Sequence, residues 1–412
     1  MGFVFGGLNL NDARVIHSVS SSHALCKSPW TQQQPLNSRW HSSRCVMTIT
    51  GSSTNQSGIL GVIEQIETAV QSGLLPKTYA FIISEWYKTY QNAASQSGIC
   101  EPNPKEYSER MFSTLISLVL KQIQEPYAFE CYHQRVRSPF DYYAFGVQFA
   151  RPIVNISASQ LRGLDNLKKA QQQLKNGENV VFLANHQSEG DPHAVDVIIA
   201  ELGEMQELAE NIVFMAGDRV REDALVVPFS LGRNLLTVYS KKHINDVPEL
   251  VETKQKHNRR TIKVTENMFK QGGVCLWFAP SGGRDRRSAE TGKVEVAEFD
   301  PDAVEMMRFT ALKSGTPTHF YPMSLATYAL LPPPETVDKS LGERRTVQYT
   351  PLGLSIGNEI DWDRILEEGM PEPSSASELT PKARKLMERN VRAEVVTQSV
   401  REEYALINGY QQ

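Results

Sequence analysis

The chain has 412 residues, with 43 Lys+Arg against 47 Asp+Glu, a formal net charge of -4 and hydrophobic residues at 40%, enough for two or three domains and a large core. A pI near 6.2 and a mean hydropathy of -0.36 exclude the basic excess of a nucleic-acid binder, and charges or prolines interrupt every apolar run well before the roughly 20 residues of a transmembrane segment. Five cysteines, Cys26, Cys45, Cys100, Cys131 and Cys275, with no CxxC and no close pair, encode neither a disulfide framework nor a structural zinc site and fit a reducing compartment.

Between Asp12 and Glu64 no acidic residue occurs, while Arg14, Lys27, Arg39 and Arg44 stand among many serines. This composition matches an organelle transit peptide, a disordered leader over residues 1–56. Without its first 63 residues the chain carries about -7, so the charge asymmetry lies in the leader. Residues 57–140 read as a small N-terminal helical bundle. Apolar residues recur there at helical spacing: Ile59, Val62, Ile63, Ile66 and Val70, then Phe81, Ile82 and Trp86, then Phe112, Leu115, Ile116, Val119 and Ile123. The stretch from Ser138 to Tyr143 reads as a turn and aromatic cluster hinging into a second domain, 141–412. In that domain, β-branched runs at 180–183, 212–215, 235–239, 274–278, 319–325 and 346–349 predict strands. They alternate with helical stretches near 161–175, 192–202, 257–270, 301–313 and 379–407. The predicted fold class is α/β, a large mixed sheet covered by helices.

The unusual polar residues follow three of these strands. The first strand runs into Asn185-His186-Gln187-Ser188-Glu189-Gly190-Asp191-Pro192-His193, the third into Ser240-Lys241-Lys242-His243, and the fourth into Ser281-Gly282-Gly283-Arg284-Asp285-Arg286-Arg287. Ligands of open α/β sheets bind outside the carboxyl ends of the strands, so parallel neighbours would gather the three loops into one pocket. In His186 and Asp191 the spacing could place a carboxylate against an imidazole, holding one ring nitrogen protonated and leaving the other to take a proton from a hydroxyl. Asp191 followed by Pro192 also has the form of a helix N-cap. A metal set of His186, Asp191 and His193 is a competing reading that lacks a fourth ligand. The glycines and arginines of 281–287 suit an anion, with backbone amides approaching it and forked donors matching phosphate; a solvated loop with internal ion pairs is the alternative.

These blocks, together with Phe320-Tyr321-Pro322-Met323 and Pro139-Phe140-Asp141-Tyr142-Tyr143, closely resemble the ordered motifs of the soluble, plastid-type glycerol-3-phosphate acyltransferases, members of the HxxxxD acyltransferase superfamily. The resemblance covers roughly residues 60–400. It departs at Ser188 and Gly190, where the family usually has Thr and Ala; Ser188 keeps the hydroxyl. The resemblance implies transfer of an acyl chain from acyl-acyl carrier protein, or acyl-CoA, to the sn-1 hydroxyl of glycerol 3-phosphate, in the plastid and without metal or organic cofactor. It assigns His186 as general base, Asp191 as its partner, and Lys242, His243, Arg284 and Arg286 to the substrate phosphate, with Ser281, Gly282, Gly283 and Lys241 supporting. The amides after Asp191 are the candidate oxyanion donors. The alternatives are another HxxxxD acyltransferase with lysophosphatidate as acceptor, and a non-catalytic module binding anionic lipid or phosphate. A last feature, eight basic residues against four acidic ones between Lys241 and Lys270, would suit docking of an acidic carrier protein.

Overall fold

A computed structural model describes residues 60–241, 244–334, 343–370 and 380–409. The leader expected over 1–56 lies outside them, as do Lys242 and His243. Three helices come first, α1 (Val62–Gln71), α2 (Lys77–Ala94) and α3 (Pro104–Gln124). At the start of α3 the Asn103 side chain accepts from the Glu106 N–H, with Pro104 at the first position, a capped entry that stops the helix fraying. Their apolar stripes face one another: Val62 and Ile66, then Ile83, Trp86 and Tyr90, then Phe112, Leu115 and Val119 belong to one buried cluster.

After a short strand, β1 (Tyr132–His133), comes α4 (Tyr142–Ala150). The hinge expected over 138–143 is the start of this helix: Asp141 Oδ1 accepts from the Ala144 N–H at 2.9 Å. Periodicity could not announce α4, because it is apolar almost all round and buried almost all round. Its Phe149 ring lies 5.3, 4.6 and 5.4 Å, centroid to centroid, from Trp86, Tyr90 and Phe112. Edge-to-face and tilted pairs of this kind fasten the first three helices to the rest of the chain.

The remainder alternates as expected, through β2 (Gln160–Arg162), α5 (Leu164–Lys175), β3 (Asn179–Ala184), α6 (Asp191–Glu201), α7 (Gln206–Asn211), β4 (Val213–Ala216), α8 (Arg219–Glu222), α9 (Val227–Ser230) and β5 (Asn234–Thr237). There follow α10 (Val251–Gln271), β6 (Cys275–Phe278), the hairpin β7 (Arg286–Arg287) and β8 (Val294–Glu295), α11 (Pro301–Ser314), β9 (Thr318–Ala326), β10 (Gly353–Ile356), α12 (Trp362–Gly369) and α13 (Pro381–Ala405). Eight strands form one mixed sheet in the order β1-β5-β4-β6-β3-β9-β10-β2. The strands β5, β4, β6, β3 and β9 run parallel, while β1 and β10 are antiparallel to their neighbours β5 and β9.

One expected strand, 346–349, is displaced to Gly353–Ile356. The Val347 N–H bonds the Thr89 hydroxyl of α2 at 3.2 Å instead of a ladder partner, and pairing with β9 begins only at Gly353.

Along the central strand β3, side chains alternate between two cores. Val180, Phe182 and Ala184 join the cluster that includes the first helices, and Val181 and Leu183 join the cluster with Phe269 of α10, Met307 of α11 and Val400 of α13. Both faces are therefore covered, which is why β3 is a continuous apolar run rather than an alternating one. The parallel direction of β5, β4, β6, β3 and β9 delivers the loops after each of them to a single edge.

Candidate active site

At that edge, His186 leaves the end of β3 and Asp191 opens α6. The His186 Nδ1 and Asp191 Oδ2 atoms are 2.7 Å apart. The carboxylate is fully buried while the imidazole stays 27% exposed. The same carboxylate accepts from the Gln187 N–H at 2.7 Å, the Ser188 N–H at 3.1 Å and the Thr327 hydroxyl at 2.6 Å. Three of the four partners are donors by chemistry, and an acceptor so placed makes Nδ1 the protonated nitrogen of the neutral ring, leaving Nε2 with its lone pair. Trp277 of β6 stands edge-on to the imidazole, centroids 5.7 Å apart, and walls one side of it.

The N-cap expectation for Asp191 is corrected: Gly190 occupies the N-cap position. The Asp191 carboxylate turns back to the loop N–H groups of 187 and 188, not forward to the amides of its own helix. The amides expected to hold an oxyanion are also spoken for. Those of Asp191, His193 and Ala194 bond the carbonyls of Ser188 and Gly190 at 2.9 to 3.0 Å, and Pro192 has none.

The loop is held from below by side chains. Asn185 donates to the Leu325 carbonyl at 3.0 Å and accepts from the Leu325 N–H at 2.8 Å, continuing the β3/β9 ladder with its carboxamide. Gln187 accepts from the N–H groups of Thr327 and Tyr328 at 2.8 and 3.0 Å. Both amides also donate to Asp285 Oδ2, at 2.8 and 3.2 Å, and the Ala297 N–H donates to Asp285 Oδ1 at 3.0 Å. The Asp285 N–H returns a bond to the His186 carbonyl at 2.6 Å. Asp285, in the middle of the arginine-rich loop, is thus an internal strut. Burial pushes its carboxyl up to about 6, against the pull of those donors.

On either side of it the arginines face the edge. Arg284 Nη2 donates to Glu343 Oε2 at 2.8 Å, and Arg219 pairs with the same carboxylate. Arg284 Nη1 lies 3.8 Å from Glu189. Buried Arg345 bridges Glu189 at 3.0 Å and Asp223 at 2.7 Å. Arg286 Nη1 donates to the Pro334 carbonyl at 2.6 Å. Burial, and next the charge of Arg284, hold Arg286 below the ordinary arginine range. Two guanidiniums that repel each other in a half-buried place favour an anion between them.

Among the supporting residues, the Ser281 hydroxyl donates to the Gly283 carbonyl at 3.0 Å, and Gly282 adopts a left-handed φ of 64° that lets the loop turn. Lys241 is directed instead to Asp300 and Asp302, at 3.3 and 3.7 Å, near the start of α11. The set His186, Asp191 and His193 does not converge: His193 turns its ring to Phe229 and Gly146. Among the described residues no three His, Cys, Asp or Glu side chains are arranged to hold a metal ion. Of the cations on α10, Lys263 and Lys270 both pair with Glu266, at 3.0 and 2.7 Å, while Lys256 and Arg259 are exposed.

Sequence reasoning missed Arg219, Thr327, Glu343 and Arg345. Arg219 and Thr327 follow the ends of β4 and β9, so the rule that singled out the other loops could have found them. Glu343 and Arg345 follow no strand and carried no such signal.

An apolar pocket is lined by Trp86, Phe149, Ile153, Leu225, Phe229 and Leu330, and Glu189 and Gly190 of the loop between His186 and Asp191 also form part of its wall. A Cβ added to Gly190 would meet Leu330 and Ser188 at 3.4 Å, ordinary contact. The departure from the usual Ala therefore leaves the loop unchanged in shape.

An acyltransferase family profile matches residues 160–326, the span from β2 to β9. The chain is 37% identical over 347 residues to the chloroplastic glycerol-3-phosphate acyltransferase of Arabidopsis thaliana, covering 84% of this chain and 72% of that protein. It is 40% identical over 303 residues to that of Pisum sativum, covering 73% and 65%, and 34% identical over 370 residues to that of Phaseolus vulgaris, covering 89% and 79%. The chain belongs to the glycerol-3-phosphate acyltransferase family. It is accordingly an acyltransferase, and every site residue expected from the sequence falls inside the matched span. Among the described residues no helix is long and apolar enough to cross a membrane.

The strut yields a pH prediction. Because the folded pKa of Asp285 lies above the unfolded value of 3.8, its favourable contribution is complete below about pH 4 and is lost as pH rises through about 6. Between pH 4 and pH 7 the parent should lose about 2 kcal/mol of unfolding free energy that Asp285→Asn does not lose. Urea unfolding of both proteins at the two pH values measures the difference; equal losses would contradict the assignment.

Proposed function

We propose that the chain transfers an acyl group from a thioester, acyl-acyl carrier protein or acyl-CoA, to the sn-1 hydroxyl of glycerol 3-phosphate. The observation that carries this reading is the position of the His186 and Asp191 pair. Its free Nε2 lies at the sheet edge that also holds the Arg284 and Arg286 cluster and the apolar pocket. A phosphate held by the arginines and an acyl chain laid in the pocket bring hydroxyl and thioester together at the imidazole.

In the reaction, Nε2 of His186 takes the proton as the hydroxyl oxygen attacks the thioester carbonyl. The tetrahedral intermediate collapses with cleavage of the carbon–sulfur bond, and Nε2 returns its proton to the leaving thiolate. Asp191 does not accept a proton; it keeps Nδ1 protonated and stabilises the imidazolium. A thioester is already activated, so no metal or organic cofactor enters. Lys242 and His243 join the phosphate set on the strength of the motif alone.

The exposed cations of α10 supply a face for an acidic carrier protein on a chain that is acidic overall. The leader carries the address to the plastid stroma, consistent with the chloroplastic relatives, and residues 57–140 and 141–412 act as the bundle and the catalytic domain.

His186→Ala should lower kcat by the 10² to 10⁴ (order of magnitude) of a lost general base, with circular dichroism unchanged. Thiol release in the presence of glycerol 3-phosphate measures it, and parent-like turnover would overturn the mechanism. Arg286→Ala should raise KM for glycerol 3-phosphate about tenfold, as loss of one charge-assisted contact implies, while KM for the donor stays put. Movement of the donor KM alone would place the loop against the donor.

A further inference from the structure

The dyad draws on a residue from outside its own loop. Thr327 directly follows β9 and is fully buried. Its hydroxyl donates to Asp191 Oδ1 at 2.6 Å, and its N–H donates to Gln187 Oε1 at 2.8 Å. The two carboxylate oxygens of Asp191 have separate partners. Oδ2 meets His186 Nδ1 and the Gln187 N–H, both at 2.7 Å, and Oδ1 meets the Ser188 N–H at 3.1 Å and the Thr327 hydroxyl. A carboxylate only accepts, so the hydroxyl proton points at Oδ1. Three of these four donors belong to residues 186–188, and the hydroxyl is the one that ties the carboxylate to β9. Thr327 also opens a turn, with the Leu330 N–H on its carbonyl at 3.0 Å, and this turn carries Leu330 and Leu331 into the wall of the apolar pocket.

We propose that Thr327 is a positioning residue for the proton transfer, acting through Asp191 on His186. The inference rests on the acyl-transfer reading above. With Oδ1 held by two donors, the carboxylate is kept from turning about its Cβ–Cγ bond, and Oδ2 stays in line with Nδ1. The requirement is greatest once the imidazole has taken the substrate proton, because the imidazolium is then stabilised by a carboxylate already oriented toward it. Removing the hydroxyl leaves a buried Oδ1 with a single donor. The loss falls on the barrier rather than on binding, since Thr327 is fully buried and neither substrate reaches it.

The test compares the parent with Thr327→Val, Thr327→Ala and Thr327→Ser, by thiol release from acyl-CoA in the presence of glycerol 3-phosphate, with urea unfolding to report the fold. The first replacement keeps the shape without the hydroxyl, the second removes hydroxyl and methyl together, and the third keeps the hydroxyl. Thr327→Val and Thr327→Ala should lower kcat about ten- to hundredfold, as loss of a hydrogen bond to a charged group implies, with KM for glycerol 3-phosphate and for the donor unchanged. Thr327→Ser should recover most of kcat. In an Asp191→Ala background, Thr327→Val should slow the enzyme no further, because both changes act through one carboxylate. Three results would overturn the role of Thr327: parent-like kcat in Thr327→Val or Thr327→Ala, an equal loss in Thr327→Ser, or a rise in donor KM showing that the turn carrying Leu330 has moved. Absence of thiol release from the parent would instead overturn the acyl-transfer reading, and the inference with it.

Discussion

The arrangement at the sheet edge depends on one buried carboxylate. Asp191 has no contact with water, and such a group is tolerated in a protein interior only when its lone pairs are filled. Four donors fill them: two loop N–H groups, the Thr327 hydroxyl and the His186 ring. Because they come from different parts of the chain, satisfying Asp191 fixes the path of residues 186 to 188, the approach of the end of β9, and the orientation of the imidazole in one step. The geometry expected of a general base is thus a consequence of solvating one charge.

A second set of bonds ties this loop to the one after β6. Asn185, Gln187 and the backbone of His186 all meet Asp285. The arginines on either side of it are consequently positioned relative to the imidazole by the same network. Arg284 turns to the buried Glu343 and Arg286 to the Pro334 carbonyl, while Asp285 between them faces the loop after β3. The positive charge of Arg284 is met by Glu343 and Glu189. Arg345, pairing with Glu189, also lines the apolar pocket, so the polar and apolar halves of the site share a wall.

Much of this was legible in the sequence, and the exceptions have physical reasons. The parallel strands declared themselves as apolar runs because both of their faces are covered, and polar residues placed just after them marked the edge. The spacing of His186 and Asp191 allowed their pairing and the family resemblance singled it out, but neither gave the direction of the Asp191 carboxylate: Asp-Pro is the pattern of a helix start, and only the folded loop shows that the donors lie behind it. The role of Asp285 was hidden because in Arg284-Asp285-Arg286 a lone acid looks like an internal ion-pair partner. The helix α4 was hidden by its lack of a polar face, and 346–349 looked like a strand because β-branched residues suit any extended segment, whether or not a partner strand lies beside it. Glu343 and Arg345 were invisible for a different reason, since charged residues in a loop announce nothing until the fold brings them against Arg284 and Glu189.

Proton transfer at the sheet edge requires that Nδ1, not Nε2, of the neutral His186 ring carry the proton. Nitrogen NMR of the protein labelled at histidine, read above the imidazole titration and assigned by comparison with His186→Ala, measures it directly. Nδ1 protonated and Nε2 bare is the predicted result, with the populations shifting toward a mixture in Asp191→Asn. A neutral ring protonated at Nε2 in the parent would contradict the account, since the nitrogen facing the edge could then no longer accept a proton from a hydroxyl.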